Sequence, residues 1–387
     1  MKYINEPDTL VIKSWCNNPE NGAIEQARHL AKLPFAFKQI CLMPDTHQGY
    51  GMPIGGVLAT KNEIIPNAVG VDIGCGMLAV KTNITNLATD KLKNILDNIR
   101  KVVPVGFKKH EKRQSVGLMP SNIKDYSIIY KEYDNALISL GTLGGGNHFI
   151  EIQKDSNGFI WVMIHSGSRN LGKQVADYYN KLAIKLNSKW HTSVPKACDL
   201  AFFPLDSEEG LNYIEEMTYC VEYAYANRRL MLSRILDIFD ETLSYSINKN
   251  EVINIAHNYA KIESHFGENV VVHRKGATSA KAGEIGIIPG SQGTSSYIVI
   301  GKGNPESFMS CSHGAGRKMG RNEAKKRLSL EEETNLLNSK GILHAIRGVN
   351  DLDEASGAYK DIDVVMEEQK DLVSVLHKLE PLAVIKG

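Results

Sequence analysis

The chain has 387 residues, of which 42% are hydrophobic and 23% are charged, a balance that predicts a globular protein with a large core. The formal net charge is only +1, so any contact with nucleic acid must depend on a local basic surface. The N-terminal segment 1–15 lacks the apolar stretch of a signal peptide, and no run approaches the roughly 18 apolar residues of a membrane helix. We therefore expect no membrane partner. The six cysteines are scattered without a CxxC pair, which indicates reduced thiols and predicts a cytoplasmic protein.

The hydrophobic pattern predicts helices and short strands in irregular alternation. Apolar residues recur every three and four positions, which predicts helices over about 22–32, 88–101, 170–186, 208–247 and 360–378. The last of these helices is expected to end before Pro381. No linker, low-complexity segment or internal repeat divides the chain. We therefore expect an α+β fold, a single mixed α/β domain over residues 1–387 with a central β core surrounded by helices, and not a doubly wound sheet.

The segment NAVGVDIGCGM at 67–77 sets a carboxylate and a thiol in a frame of glycines. Glycine permits sharp turns and close approach of the backbone, so the loop can present Asp72 and Cys75 together. A hard oxygen and a soft sulfur this close suggest a pair of metal ligands. The remaining ligands must then come from other parts of the chain.

Histidines stand at the ends of four apolar runs. The runs GFIWVMIH, EVINIAH and ENVVVH end in His165, His257 and His273, and the run NHFIEI begins with Asn147 and His148. A rigid scaffold presents polar groups at strand ends, so several of these side chains are expected to meet. The candidate metal ligands are one oxygen, one sulfur and three nitrogens, from Asp72, Cys75, His148, His165 and His257.

This ligand set fits one closed site, or two open sites if the thiolate bridges, and we favour two ions. Ligand softness alone favours zinc, whereas the mixed carboxylate and imidazole ligands leave manganese open. The plain alternative is a group of buried histidines with satisfied hydrogen bonds beside a core cysteine.

Two glycine-rich segments near the C-terminal end carry features of phosphate chemistry. Segment 271–303 has His273, Arg274 and Lys275 followed by small and hydroxyl residues that suit a phosphate cradle, although glycine-rich turns between strands look the same. It contains neither a Walker loop nor a dinucleotide fingerprint. In SCSHGAGRKMGR, His313 lies in a glycine cradle near Arg317, where an imidazole could attack a phosphate to give a phosphoramidate. A turn histidine without a catalytic role is the alternative.

Two basic runs, 108–113 and 317–327, are candidate contacts for an RNA backbone. Each could equally be a solvated face.

These motifs, in this order, resemble the RtcB family of GTP-dependent RNA ligases. The resemblance covers almost the whole chain, and its motifs are MPDTHQGYGMPIGG, VGVDIGCG, GGGNHFIEI, HSGSRNLG, HNY, HRKGAT, PGSQGTSSY, SHGAGR, YKDID and the terminal VIKG. Several long motifs in one order are far more specific than any single motif.

The resemblance implies that the five candidate ligands hold two Mn²⁺ ions with Cys75 as the bridge, and that His313 becomes guanylylated by GTP. It also implies guanylate contacts from Asn147, Glu151, Asn258, Pro289, Gly290, Ser291, Gln292, Ser296, Gly314, Ala315, Gly316 and Lys386. The expected reaction joins an RNA end carrying a 2′,3′-cyclic phosphate or 3′-phosphate to a 5′-hydroxyl end. The expected substrates are tRNA halves or damaged tRNA or ribosomal RNA.

Three positions depart from the family pattern: Gln292 where methionine is frequent, Ser279 where arginine is frequent, and Gly320 where serine is common. None is an expected metal ligand or the expected nucleophile, so the departures bear on RNA preference and allow a repair paralogue. A metal-dependent phosphatase or cyclic phosphodiesterase is the main alternative, and it would not need His313. A non-catalytic RNA-binding or structural metal protein is a second alternative, which needs fewer of these features.

Overall fold

Helices and strands are intermixed along the computed structural model, which describes residues 1–121, 123–125, 127–244 and 252–387. The α-helices of these ranges are α1 Asn21–Ala31, α2 Pro66–Val69, α3 Thr89–Val102, α4 Ile128–Ser139, α5 Asn170–Trp190, α6 Glu208–Leu243, α7 Arg321–Arg327, α8 Leu330–Ser339 and α9 Ile362–Glu368. The strands are β1 Lys2–Ile4, β2 Val11–Ser14, β3 Ala36–His47, β4 Ile54–Thr60, β5 Glu63–Ile64, β6 Gly76–Lys81, β7 Phe149–Asp155, β8 Ile160–Ser166, β9 Phe203–Pro204, β10 Ile253–Ala256, β11 Asn258–His265, β12 Glu268–Lys275, β13 Ala277–Ser279, β14 Ile285–Ile288, β15 Ser296–Gly301, β16 Ser310–Ser312 and β17 Val373–Lys386. The predicted mixed α/β fold is confirmed.

Two large sheets organise the strands. One has six strands in the order β1-β2-β3-β4-β12-β11, and the other has seven in the order β10-β6-β8-β7-β17-β15-β14. The β2–β3 pair is parallel, whereas neighbouring strands of the seven-stranded sheet pair antiparallel. Antiparallel neighbours do not need the helical crossovers of a doubly wound sheet, which agrees with the prediction.

Helices α3 and α6 cover the seven-stranded sheet. On α3 the buried residues Leu92, Ile95, Leu96 and Ile99 recur every three or four positions, so they form one apolar face. This face packs with residues of α6 and with strand residues such as Ile164 in one hydrophobic cluster. Burial of each such side chain stabilises the fold by about 1.5–3 kcal/mol. The sheet is thereby fixed as a rigid base for the polar groups at its edge.

Most predicted helices agree with the structure, and one does not. Helices α1, α3 and α5 match their predicted ranges within a few residues. The predicted helix 208–247 corresponds to α6 as far as Leu243, and residues 245–251 lie outside the described ranges. The predicted helix 360–378 is wrong beyond Glu368, because Val373 begins β17.

The error has a physical explanation. Val375 and Leu376, which suggested the apolar face of a helix, are exposed in β17, where pairing with β15 and β7 decides the conformation. Pro381 also lies inside this strand, at a register shift in the pairing with β7. An irregularity of this kind tolerates a residue without an N–H donor. Within the described ranges, no helix is both long and apolar enough to cross a membrane.

Candidate active site

The loop of Asp72 and Cys75 lies between α2 and β6 and is pressed against α6 and β10. Gly74 has φ +78°, and a Cβ there would lie 2.8 Å from Val221 Cα on α6. A Cβ on Gly76 would collide with the carbonyl oxygen of Ile255 on β10. The glycines are therefore required for the close approach that carries both potential ligands into the sheet edge.

The register of the seven-stranded sheet brings the histidines to this loop. Strand β6 pairs with β8 so that Gly76 faces Ser166, and β8 pairs with β7 so that His165 faces Phe149, the residue after His148. On the other side of β6, β10 ends opposite Gly76, and the next residue, His257, donates its backbone N–H to the Cys75 carbonyl at 2.8 Å.

Cys75, His148 and His165 form a buried cluster whose potential ligand atoms lie within 4.8 Å of one another. Cys75 Sγ lies 3.5 Å from His148 Nε2 and 3.3 Å from His165 Nε2, and Asp72 Oδ2 lies 3.3 Å from the same His148 nitrogen. The His257 ring is 5.2 Å from that of His165, centroid to centroid. The five residues proposed from the sequence thus lie together.

The partners of these side chains fit metal coordination. The His165 ring donates from Nδ1 to the Asn147 carbonyl at 3.1 Å, which leaves Nε2 as the lone-pair nitrogen facing Cys75. Among the described residues, Nδ1 of His148 and Nδ1 of His257 are buried without a hydrogen-bond partner. His148 Nδ1 lies against Gly144, away from Cys75, so Nε2, which faces Cys75 and Asp72, is the His148 nitrogen available to a metal ion. Sulfur, nitrogen and oxygen donors of this kind bind transition-metal ions.

The electrostatics of the cluster also suit a cation. Burial, together with neighbouring histidines, lowers the pKa values of His165 and His257 well below the usual range, so both imidazoles are neutral. Burial opposes ionisation of Asp72, but the hydrogen bond and charge of His148 outweigh it and lower the pKa of that carboxyl. Burial and the Asp72 charge raise the pKa of the Cys75 thiol, a penalty that a bound cation removes by stabilising the thiolate.

Arg228 on α6 supports the loop from behind, and sequence reasoning gave it no role. Its buried guanidinium donates to the carbonyl oxygens of Gly74 and Ser166 at 3.1 and 2.8 Å, and Nε donates to Asn254 at 2.8 Å. Burial lowers its pKa to about 10, so it remains charged at neutral pH. Its sequence context, a helical stretch ANRRLM, gives no signal of this role.

His313 follows β16 and lies next to the metal cluster. Its ring centroid is 4.8 Å from that of His257. Asp45 Oδ2, at the end of β3, accepts from His313 Nδ1 at 2.6 Å and from the backbone N–H groups of His313 and Gly314 at 3.0 and 3.3 Å. Burial opposes ionisation of Asp45, yet its interactions with His313 outweigh burial and lower the pKa of this carboxyl. Asp45 was missed, although it lies in the motif MPDTHQGYGMP.

The segment 289–292 lies beside the His313 loop, between β14 and β15. A Cβ on Gly314 would be 3.3 Å from the Pro289 carbonyl oxygen, so the two segments touch. Within the segment, the Gly290 N–H donates to Ser296 Oγ at 3.3 Å, and the Ser291 hydroxyl bonds to Thr294 at 3.0 Å.

The remaining expected guanylate residues lie around this segment and the metal loop. Asn258 donates from Nδ2 to the Asp72 carbonyl at 3.1 Å and accepts from the Gly276 N–H at 2.7 Å, so it braces the metal loop. Ala315 is buried in a hydrophobic cluster with residues of both large sheets, and the Gly316 carbonyl accepts from the Lys360 N–H at 2.9 Å. Gln292 donates from Nε2 to the Glu354 carbonyl at 2.8 Å.

Glu151, Ser296 and Lys386 share one face of the seven-stranded sheet. Gln153 donates to both Glu151 and Ser296, at 2.7 and 3.0 Å. Burial raises the pKa of Glu151 to about 7 against the opposing charge of Lys386. Burial lowers the pKa of Lys386, whose Nζ lies 4.0 Å from Glu354 Oε2.

Glu354 neutralises much of the second basic run. Its Oε1 accepts from Arg317 and Arg321 at 3.1 and 3.0 Å. Further along the run, Lys325 lies 3.5 Å from Asp353, and Arg327 pairs with Glu323. These ion pairs favour a structural role for the run 317–327 over that of a free RNA-binding face.

The three departures from the family pattern lie away from the cluster. Gln292 is described above. Ser279 donates to Glu284 on the surface, and Gly320 precedes α7 in open space. None of them touches a metal candidate or His313 in the described contacts.

Comparison with known proteins agrees with this geometry. The family model described as tRNA-splicing ligase RtcB matches residues 26–387. The chain belongs to the RtcB family. It is 39% identical to the RNA-splicing ligase RtcB of Escherichia coli K12, over 97% of both chains. It is 32% identical to the tRNA-splicing ligase RtcB of Thermococcus kodakarensis, over 95% of this chain and 92% of the relative. It is 31% identical to RNA-splicing ligase RtcB homolog 2 of Entamoeba dispar, over 95% of this chain and 84% of the relative.

Proposed function

We propose that this RtcB-family protein is an RNA ligase that joins a 2′,3′-cyclic phosphate or 3′-phosphate RNA end to a 5′-hydroxyl end, with GTP and two Mn²⁺ ions as cofactors. The names of its relatives support RNA ligation, and the cluster of Cys75, His148 and His165 supports metal binding. The proposal treats residues 1–387 as one functional domain.

The observation that carries the proposal is the pairing of His313 with Asp45. Because the Asp45 carboxyl is ionised, it accepts a proton-bearing Nδ1 at 2.6 Å. The imidazole is thereby held in the tautomer whose Nε2 lone pair is free. A nitrogen in this state is a nucleophile for phosphorus, and its ring lies against His257 of the metal cluster.

The five residues Asp72, Cys75, His148, His165 and His257 would hold the two ions. The position of Cys75 Sγ between His148 and His165 supports its assignment as the bridge. When bound, the ions neutralise charge on the phosphates and polarise their oxygens. The softness of the donors alone would also suit zinc, so the choice of manganese follows from the family resemblance.

The expected guanylate contacts are Asn147, Glu151, Asn258, Pro289, Gly290, Ser291, Gln292, Ser296, Gly314, Ala315, Gly316 and Lys386. The contact of Gly314 with Pro289 supports a shared pocket for the nucleotide next to His313. Lys386 is partly buried on the face that carries Glu151 and would place a positive charge there.

The reaction has four steps. Water first opens a cyclic phosphate end: its oxygen bonds to the phosphorus, and the 2′-oxygen leaves as a hydroxyl, which gives a 3′-phosphate. His313 Nε2 bonds to the α-phosphorus of GTP, and pyrophosphate leaves. The RNA 3′-phosphate then displaces the imidazole, and the 5′-hydroxyl oxygen attacks the RNA phosphorus and releases GMP. The substrates are tRNA halves, or damaged tRNA or ribosomal RNA in a repair role.

The proposed compartment is the cytoplasm. All six cysteines are free, and five of them are buried. Unpaired thiols favour a reducing environment, where disulfides are rare.

End joining of synthetic RNA tests the function. Two RNA strands, one ending in a 3′-phosphate and one starting with a labelled 5′-hydroxyl, are incubated with protein, Mn²⁺ and GTP. Ligation that stops without GTP and in His313→Ala is expected. Loss of the terminal phosphate without joining, in both proteins, would instead support a phosphatase or cyclic phosphodiesterase.

A further inference from the structure

A fully exposed phenylalanine stands in the first basic run, at residue 107. We call residues 104–114 the Phe107 loop, with sequence PVGFKKHEKRQ. Large aromatic side chains are normally at least partly buried. Within the described ranges, Phe107 is the most exposed of the large hydrophobic residues, so its ring is open to a partner outside the chain.

The Phe107 loop is held at both ends, so its tip is presented in a fixed place. The Gly106 N–H donates to the Gly144 carbonyl at 2.9 Å, and Gly106 has φ +63°. Beyond the tip, the N–H groups of His110 and Gln114 donate to carbonyl oxygens at the end of α4, at 2.9 and 3.1 Å. A preorganised backbone loses little conformational entropy when the loop binds a partner.

The Phe107 loop adjoins the metal cluster. Arg169 Nη2 donates to the Gly106 carbonyl at 3.0 Å. A Cβ on Gly144 would collide with both Arg169 Nη1 and His148 Nδ1, so the guanidinium that holds the loop is a neighbour of the His148 ring. Gly387, the residue after Lys386, also packs on Gly144. Phe107 consequently stands at the rim of the site proposed to bind RNA ends.

The charges of this loop differ from those of the second basic run. Lys109 bonds to Asn135, and Arg113 pairs with Asp134 at 2.8 Å. Lys108 and Lys112 are exposed and have no acidic partner within the described ranges. The loop thus offers an aromatic face together with two free cations.

We propose that Phe107 stacks on a base near an RNA end in the active site, while Lys108 and Lys112 contact the adjoining phosphates. An exposed aromatic ring beside cations is the arrangement with which proteins bind single-stranded nucleic acid, because every base has a face for stacking. The inference rests on the proposed RNA ligase function.

The stacking role is tested by binding of a short single-stranded RNA with a 3′-phosphate and of one with a 5′-hydroxyl end, measured by fluorescence anisotropy. Phe107→Ala is expected to weaken binding of at least one strand by about 5- to 150-fold, whereas Phe107→Trp retains the wild-type affinity. Tyr3→Ala, which removes an exposed aromatic on β1, serves as the control and should bind normally. Wild-type affinity in Phe107→Ala for both strands would overturn the inference.

An RNA with abasic sites near its end separates stacking from structural damage. The wild-type protein and Phe107→Ala should bind this RNA equally, because the base is absent. The same loss in Phe107→Ala on abasic and normal RNA would contradict stacking. Formation of the GMP adduct from GTP alone should be unchanged in Phe107→Ala. A wild-type protein that forms no adduct would count against the proposed ligase function, whereas normal adduct formation with unchanged RNA binding in Phe107→Ala would count against stacking alone.

The salt dependence of binding tests the two lysines. Affinity for a single strand falls as salt rises, and each phosphate contact steepens the plot of log affinity against log salt concentration by about 0.7. The double variant Lys108→Ala with Lys112→Ala should therefore give a slope that is shallower by about 1.4. The matched double change Lys181→Ala with Lys185→Ala, on the exposed face of α5, should leave the slope unchanged. An unchanged slope in the first pair would refute their contact with phosphate.

Discussion

Asp45→Asn should nearly abolish guanylylation of His313 while leaving the protein folded. Oδ2 of Asp45 accepts three hydrogen bonds, of which that from His313 Nδ1, at 2.6 Å, is the shortest. Each bond to a charged acceptor contributes about 1.5–3 kcal/mol. An asparagine keeps the shape but can turn its amide toward Nδ1, and the imidazole then carries its proton on Nε2. In a comparable histidine–aspartate pair this change lowers the rate by about 10⁴-fold, and we expect a similar loss here.

The assay is single-turnover formation of the protein–GMP adduct with labelled GTP and Mn²⁺. Asp155→Asn is the matched control, because Asp155 is also buried and accepts hydrogen bonds from Trp161 and two backbone N–H groups, but lies outside the site. It should form the adduct at the wild-type rate even if its melting temperature falls. A folded Asp45→Asn protein that forms adduct within tenfold of the wild-type rate would refute the role given to Asp45.

Three further changes test the surroundings of the site. Cys75→Ala should remove metal binding and adduct formation without unfolding the chain. Mass spectrometry measures the metal content and circular dichroism checks the fold. A full metal load in this variant would contradict the bridging role. Glu151 has a folded pKa raised to about 7, so its ionisation should contribute a loss of about 3 kcal/mol of stability as pH rises from about 4.5 to above 7. Glu151→Gln should remove this loss in thermal unfolding at pH 5 and 8, and equal pH dependence in both proteins would count against it. Glu354→Gln removes the negative charge that faces Arg317 and the half-exposed Arg321, and should lower the free energy of unfolding in urea by about 1.5–3 kcal/mol. A loss below about 0.5 kcal/mol would show that solvent screens these pairs.

The sequence was informative about the metal cluster because its ligands carry local signals. Asp72 and Cys75 stand among glycines, and the histidines stand at strand ends, so their shared location followed from turn chemistry and strand pattern. What the pattern could not supply was the pairing register that places His257 beside Cys75. Register depends on contacts between distant segments.

Roles that depend on distant contacts were missed for the same reason. Asp45 and His313 are 268 residues apart, and Arg228 reaches the Gly74 carbonyl from a helix 154 residues away. The error in the predicted helix 360–378, which is wrong beyond Glu368, has a related cause, since pairing of β17 with two strands outweighs local helical periodicity.

The most direct test of the account is incubation of the purified protein with Mn²⁺ and GTP labelled on its α-phosphate, followed by denaturing separation and mapping of the labelled peptide. We predict a labelled band whose peptide contains His313, and its loss in His313→Ala. Absence of label in a metal-loaded, folded wild-type protein, or label that persists in His313→Ala, would contradict nucleotidyl transfer through His313.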